Sequence, residues 1–381
     1  MRILYLANAP RVRLTGAAVR TLTFARMALD RGAEVTIAGP AGSALQQGAA
    51  ERGIPFAPAV FSAWPWDVAG LHRVVRETAP DVIHAVSVVP LVLARLSALT
   101  GRRPTTGPAL FVSIVVDPLS DRVFADGRRR PWSTRLRNTL LRSIAPGLDG
   151  VFPVSEAAKS SLEALGVRGH IEIVGALVDV PDLERRALLP ADLPAGRPRI
   201  VSAPGQLEPL KGVDDLIRAF ARVAESRPEA ACLVAGEGEQ RDELERLAED
   251  LGVGERLHLL GYLDEPAPVI ASADVFVSPS HTEGLPGAVA QALALGRPVV
   301  ATEVGGNGEI VDDGRTGLLV PAGDPDALAA GMGRLLDDPD LAARLGSAGK
   351  ADVTEHHDVR RAFGTVWDAY RRALAERGVS R

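Results

Sequence analysis

Residues 278–296 read SPSHTEGLPGAVAQALALG. They follow a short apolar run, Ala273–Val277, which predicts a buried strand. Ser278 and Pro279 then predict a turn, and the apolar spacing from Pro286 onward predicts a helix with Pro286 as its first residue. Between turn and helix stand one acid, Glu283, and the sequence Gly-Leu-Pro. Strand, turn and helix make half of a βαβ unit, and the rest of the chain repeats it.

Before this stretch come RIVSAP, a helical pattern over 213–225, ACLVAG, a second over 240–251, and RLHLLGY. After it come the predicted helix over 286–295, RPVVATE and GLLV. The first half has the same rhythm: RILYLA (2–7), a helix from about Ala17 to Asp30, EVTIAG, DVIHAVS (81–87), ALFVSIVV (109–116) and GVFPVS (150–155). Continuous apolar runs are the mark of parallel strands covered on both faces. Residues 185–198, RRALLPADLPAGRP, carry three prolines and a glycine and read as a connection between two such halves. The expected fold is α/β: two Rossmann-like domains facing a cleft, with ligands beyond the carboxyl ends of the strands. The expected boundaries are 1–185, a linker 186–198, a second domain 199–355, and a C-terminal helix 356–381 packing back on the first domain.

Composition narrows the class. A chain of 381 residues with 46% hydrophobic content is long enough for two cores. A net charge of -5 excludes a general nucleic-acid binder. The single cysteine, Cys232, lies in ACLVAG, where it reads as a small buried hydrophobe, and one cysteine forms no internal disulfide, which points to a reducing, cytoplasmic setting. The first residues, MRILYLANAP, lack the long apolar region and cleavage site of a signal peptide, and no run reaches the ~18 apolar residues of a transmembrane helix. Of 43 basic residues only three are lysines, Lys159, Lys211 and Lys350.

The loops leaving the strands hold the candidate chemistry. GQLEPLKG (205–212) places Lys211 beside Gly212 just before a helix, where an ammonium meets a phosphate or simply faces water. GEGEQ resembles a fragment of a dinucleotide-binding loop, but its third glycine is missing and Glu237 and Glu239 would repel a pyrophosphate, so a tight turn is expected. Asp324-Pro325-Asp326 and Asp338-Pro339-Asp340 read as helix caps with Pro at the first helical position, so no metal is expected. The free amides and dipole of the helix starting at Pro286 form an anion site, which Gly284 opens to close backbone approach. Glu283, beside that site, fits an acceptor for sugar hydroxyls better than a phosphate ligand. GGNGEIVDDGRTG (305–317) is glycine-dense and also faces the cleft, though by itself it suits an ordinary turn.

With these residues assembled, the chain resembles the retaining glycosyltransferases of family 4, which have the GT-B architecture. PSHTEGLPGAVAQALALGRPVVAT is similar to the family's segment of an acid, seven intervening residues and a second acid. GQLEPLKG resembles its phosphate loop, and VAGEG, LHLLGYL, GGNGEIV and GRTGLLV its other C-terminal signatures. TGAAVRTLTFARMALDRGAEV and PVSEAAKSSLEALGV resemble blocks of its N-terminal half. The resemblance implies catalytic roles for Lys211 and Glu283. It implies donor binding by Gly16, Gln206, Gly261, Tyr262, Leu263, Gly284, Leu285, Pro286, Gly287 and Gln291, and an acceptor side holding Asp117, Val116 and His84. Three positions depart from the family: Gln206 stands for its phosphate-loop arginine, Gln291 for its second acid, and Val116 for a histidine near the acceptor.

The resemblance implies transfer from a UDP- or GDP-sugar to a small-molecule acceptor, without cofactor or metal, with the amides of 284–287 and Lys211 stabilising the leaving diphosphate. Loss of the histidine would matter least for a sulfur nucleophile, so antibiotic or other natural-product biosynthesis, with transfer to sulfur, stands beside a sugar or cyclitol hydroxyl. The three departures also fit a non-catalytic, nucleotide-sugar-binding partner of another transferase; the joint presence of Lys211 and Glu283 favours the enzyme. An arginine-rich segment over 122–142 reads as a solvated helix face and loop, with peripheral membrane contact the second reading. Oligomeric state, base and sugar are left open.

Overall fold

The computed structural model describes residues 1–8, 15–61, 66–86, 90, 107–115, 138–139, 141–195 and 197–378. Val116, Asp117 and most of the arginine-rich segment lie outside them.

The chain divides into two compact units. One holds the described residues up to Gly175 together with the chain from Arg361; the other runs from Ala176 to Arg360. In the first, six strands run β1 (Arg2–Ala7), β2 (Glu34–Gly39), β3 (Phe56–Pro58), β4 (Val82–Val86), β5 (Ala109–Ile114) and β6 (Gly150–Pro153). They pair in the order β3-β2-β1-β4-β5-β6, every pair parallel. The second holds β7 (Arg199–Gln206), β8 (Ala231–Glu237), β9 (Leu257–Leu259), β10 (Val275–Ser278), β11 (Val299–Thr302) and β12 (Leu318–Val320). Their order is β12-β11-β10-β7-β8-β9, again all parallel. Counted within each unit, both are the doubly wound order in which the sheet grows outward from its first strand in two directions.

Two-sided burial explains the uninterrupted apolar runs. Ile200, Cys232, Val234, Val275, Val277 and Val300 pack into one cluster, beneath the helices Val213–Ser226 and Pro325–Asp337. Their alternate neighbours Val201, Leu233, Phe276, Val299 and Ala301 pack into another, beneath the helix Gly287–Ala294. Each fully buried Val, Leu or Phe contributes about 1.5–3 kcal/mol through removal from water. Cys232 is buried in this interior, which pushes its thiol up to about 12.

The Pro-rich stretch is not where the units part. Ala176, Val178, Val180 and Leu183 are buried against Val201 and Leu233, so the chain joins the second unit ten residues before the expected boundary. The helix Val180–Ala187, capped by Asp179 and with Pro181 in its first turn, completes that docking. At the other end, the helix Val359–Glu376 joins the first unit from Arg361. Phe363 meets Phe24 with ring centroids 5.4 Å apart, and Tyr370 meets Phe111 at 4.8 Å. Arg372 pairs with Glu172, and Arg377 with Asp149.

Candidate functional site

In the second sheet β7 and β10 are neighbours, and the chain leaves them toward opposite edges. Loops from such a pair diverge and leave a crevice, the usual ligand position in an open parallel sheet. Those loops are the ones that hold Lys211 and Glu283. Lys211 ends a short turn of 3₁₀ helix, Pro209–Lys211, and Gly212 then takes the left-handed conformation (φ 59°) from which the helix Val213–Ser226 starts. A Cβ at Gly212 would lie 2.2 Å from the Pro279 carbonyl oxygen, so the backbones of the two loops touch. Lys211 Nζ donates to Glu283 Oε1 at 2.6 Å, across 72 residues of sequence. Ser280 Oγ donates to the same oxygen at 2.8 Å. The two charged side chains are 23% and 14% exposed, so water screens the pair only partly.

A cleft of about 100 Å³ opens beside this pair, lined among others by Ser202, Lys211, Ser280, Glu283, Pro286 and Gly287. The helix that meets it is Gly287–Ala294, with Pro286 as N-cap rather than first helical residue. Its first intrahelical bond runs from Ala290 N to Pro286 O, so the amides without a helical acceptor are those of 287–289, not 284–287. Gly284 and Leu285 serve instead as the seat for the glycine-dense loop. A Cβ at Gly305 would fall 1.8 Å from the Glu283 carbonyl oxygen, and one at Gly306 2.2 Å from that of Gly284. This contact makes 305–306 a backbone support for Glu283, not an ordinary turn. Thr302 Oγ1 donates to Ser280 O at 2.5 Å, and Asn307 Nδ2 to Thr302 O at 2.8 Å, bracing the loop from β11. An ammonium, a helix N-terminus and a carboxylate thus share one small cleft, which suits an anion bound next to a hydroxyl-rich group.

The other expected residues are more scattered. Gln206 is exposed at the end of β7, opposite Glu237, and does not line the cleft. The strand runs through the expected loop because an irregularity between Ser202 and Gly205 accommodates Pro204. Gln291, half-buried, lies one turn along the helix from Gly287 and is also absent from the lining. Gly261 (φ 74°) bridges to Gly236 ahead of Tyr262 and Leu263. Glu237 of the GEGEQ turn is held by Arg241, whose Nη2 also donates to Leu259 O at 3.1 Å. Asp324 and Asp338 each accept the amide three residues on, Ala327 N and Leu341 N, both at 2.9 Å, as helix caps do. In the first unit, Gly16 is exposed at the start of the helix Gly16–Asp30, which Thr15 caps.

His84 is not on an acceptor side. It lies in the interior of β4, fully buried. Its Nε2 pairs with Ser113 Oγ at 2.8 Å and its Nδ1 with the Tyr370 hydroxyl. Burial, helped by the charge of Arg20, pushes its imidazole down to about 3, so it stays neutral at ordinary pH. Arg20 is itself buried, donating to the carbonyls of Val174 (3.0 Å) and Gly175 (2.8 Å), and its guanidinium is pushed down to about 10.

One pair in this region went unread in the sequence. His281 Nε2 lies 2.8 Å from Asp215 Oδ2, and His281 N donates to Leu210 O at 2.9 Å. The available signal was the doubled acid Asp214-Asp215 at a helix start, where one acid suffices for the dipole.

Comparison with known proteins gives the family and the fold. Residues 184–352 match the family model described as glycosyl transferases group 1, and residues 14–180 the model of glycosyltransferase family 4. A GDP-mannose-dependent alpha-(1-6)-phosphatidylinositol monomannoside mannosyltransferase of Mycolicibacterium smegmatis is 36% identical over 241 residues, 59% of this chain and 63% of that protein. A D-inositol 3-phosphate glycosyltransferase of Streptomyces scabiei is 36% identical over 183 residues, 45% of this chain and 39% of that protein. The matched part is less than two thirds of either relative. Among solved structures, Anabaena Alr3699/HepE in complex with UDP-glucose superposes with a TM-score of 0.79 at 21% identity, covering 99% of this chain and 100% of that one. That likeness shows a shared GT-B fold. Among the described residues no helix is long and apolar enough to cross a membrane.

Proposed function

We propose, from the premise that this chain belongs to glycosyltransferase family 4, that it moves a sugar from a nucleoside-diphosphate sugar to a small acceptor with retention of configuration. The observation that carries this is the meeting of Lys211, Glu283 and the N-terminus of Gly287–Ala294 around one cleft at the second sheet's divergence point. Lys211 and the amides of 287–289 would take the diphosphate, whose negative charge grows as the glycosidic carbon–oxygen bond breaks. Glu283, held by Ser280, would accept hydroxyls of the transferred sugar. Gln291 and the backbone of 261–263 remain the proposed contacts to ribose and base.

In this scheme the acceptor's O–H bond breaks as its oxygen bonds to the sugar's anomeric carbon on the face the diphosphate leaves, and the departing phosphate oxygen takes the proton. No protein base is then required, which accommodates Val116 and the burial of His84. No metal is required either: the first acid of each D-x-D pair is spent as a cap, Asp326 pairs with Arg222, and Lys211 supplies the cation. For the donor we favour GDP-mannose or another GDP- or UDP-sugar, and for the acceptor a cyclitol hydroxyl, because the relatives named above act on GDP-mannose, phosphatidylinositol monomannoside and inositol phosphate. A sulfur acceptor in natural-product biosynthesis is the competing class. The lone, buried Cys232 supports a cytoplasmic setting. A mass-spectrometric screen of GDP- and UDP-sugars against inositols, inositol phosphates, aminocyclitols and thiols tests this reading. Transfer to a cyclitol hydroxyl supports it, transfer only to thiols replaces the acceptor class, and binding of the nucleotide sugar with no product makes the chain a non-catalytic partner.

A further inference from the structure

We infer that His281 and Asp215 form a brace that sets Lys211 against Glu283, so that both are positioning residues for the anion cleft; this rests on the reading of that cleft as the donor site. His281 holds the Lys211 turn on both sides. Its backbone N–H donates to Leu210 O, one residue before Lys211, and its imidazole meets Asp215, four residues after it. The loop that does the holding also presents the carboxylate, since Ser280 and Glu283 flank His281 in sequence and Ser280 bonds Glu283. Two turns leaving different strands are thereby joined by one residue, and the contact of Gly212 with the Pro279 carbonyl closes the seam.

Asp215 has no reason to be where it is unless it pairs. Only 7% of it is exposed, and a carboxylate withdrawn that far from water is costly without a partner. The helix dipole does not require it, because Asp214 already supplies an acid to the same first turn. His281 Nε2, at 2.8 Å, is its partner, leaving the imidazole 37% exposed on the outer side of the seam. A lysine ammonium rides on a flexible four-carbon stem, so its position against a diphosphate is defined only as well as its Cα is held. The brace fixes that Cα relative to Glu283.

If so, His281→Ala lowers kcat about tenfold while KM for the donor changes less, because Lys211 acts most strongly when charge has developed on the leaving group. Asp215→Ala does the same, and the double variant is no worse than either single, since all three lose one interaction. His281→Gln and Asp215→Asn, which keep a hydrogen bond, recover most of the loss. Asp215→Leu removes the buried carboxylate along with the bond; it carries the same expectation and keeps the test open should the lone charge in His281→Ala unfold the unit. A second readout needs no substrate. With three lysines in the chain, a sample labelled with 13C at lysine Cε gives three resonances, assigned by Lys→Arg changes. Loss of the brace should move the Lys211 resonance toward that of a free lysine and leave Lys159 and Lys350 in place. Were the wild type to transfer no sugar, that shift would still uphold the brace while the transferase reading fell. Wild-type turnover with an unmoved Lys211 resonance overturns the brace. Additive single effects, or a fall in kcat without any Lys211 shift, overturn it too, by making His281 a group that acts on substrate itself.

Discussion

Replacing Gly305 by alanine should damage sugar transfer far more than it damages the fold. Gly305 has φ 47° and carries the space in which the Glu283 carbonyl sits. A methyl group there would lie 1.8 Å from that oxygen, about 1.2 Å inside the shortest contact a real Cβ makes. The left-handed backbone costs a non-glycine residue about 1–2 kcal/mol. The overlap cannot be relieved by a side-chain rotation, because both atoms belong to backbone or sit next to it. One loop must therefore retreat by roughly an ångström, and Glu283 is on it. Misplacing a reacting constellation by that distance costs on the order of a hundredfold in rate, or about 2.7 kcal/mol of transition-state stabilisation. Scanning calorimetry should show a lowered but cooperative transition, and turnover per folded molecule should fall about a hundredfold. Gly314→Ala is the control: φ is 71° but nothing lies within 4 Å of the added carbon. It should lose a similar strain energy in stability and keep its turnover. Wild-type turnover in Gly305→Ala, or an equal fall in Gly314→Ala, would refute the support that Gly305 gives Glu283.

Lys211→Ala should reduce kcat/KM about 10²–10³-fold, as loss of one strong oxyanion donor does, while calorimetry with UDP and GDP separates binding from chemistry; turnover within a few-fold of wild type would remove Lys211 from the mechanism. Activity should survive EDTA, and Asp324→Ala should lose about 1 kcal/mol of stability as an N-cap with unchanged turnover; a chelated enzyme that manganese revives would contradict this. His84 binds its proton near pH 6.5 when unfolded but only near 3 when folded. Between those values the unfolded chain holds more protons, so its contribution is intact above about 6.5 and is lost as pH falls, by at most about 1.4 kcal/mol per pH unit. Urea midpoints should fall less steeply with acid in His84→Gln; parallel slopes would show that His84 does not carry the effect.

The strands were legible because burial on both faces writes itself as a continuous apolar run, as in RIVSAP over β7 and DVFVS over β10. Helix ends were legible to a residue or two: the expected 213–225 is Val213–Ser226, and Pro286 caps the helix it was expected to start. Lys211 and Glu283 were each legible as loop residues, but their pairing was not, because it depends on a strand order that puts the ends of β7 and β10 together. What failed depended on partners distant in sequence. His84 reads as a functional histidine until Tyr370, 286 residues on, is seen filling its other side. The 176–183 segment reads as the first domain's end until its alternating Ala176, Val178 and Val180 meet Val201 and Leu233. Prolines at 190, 194 and 198 mark an irregular path but not a boundary between packed units. Asp215 and His281 each look like surface polar residues, and only the crossing of two loops makes them a pair.

Retaining sugar transfer at the Lys211–Glu283 cleft can be followed in a single proton NMR time course. An α-linked GDP- or UDP-sugar is mixed with the acceptor that the mass-spectrometric screen selects, and the anomeric region is followed in wild type and in Lys211→Ala. A new α-anomeric doublet should grow one-for-one with released nucleoside diphosphate in wild type, and should not grow on the same timescale in the variant. A β-configured product, or a donor doublet that persists unchanged while the nucleotide binds, would contradict retaining transfer at this cleft.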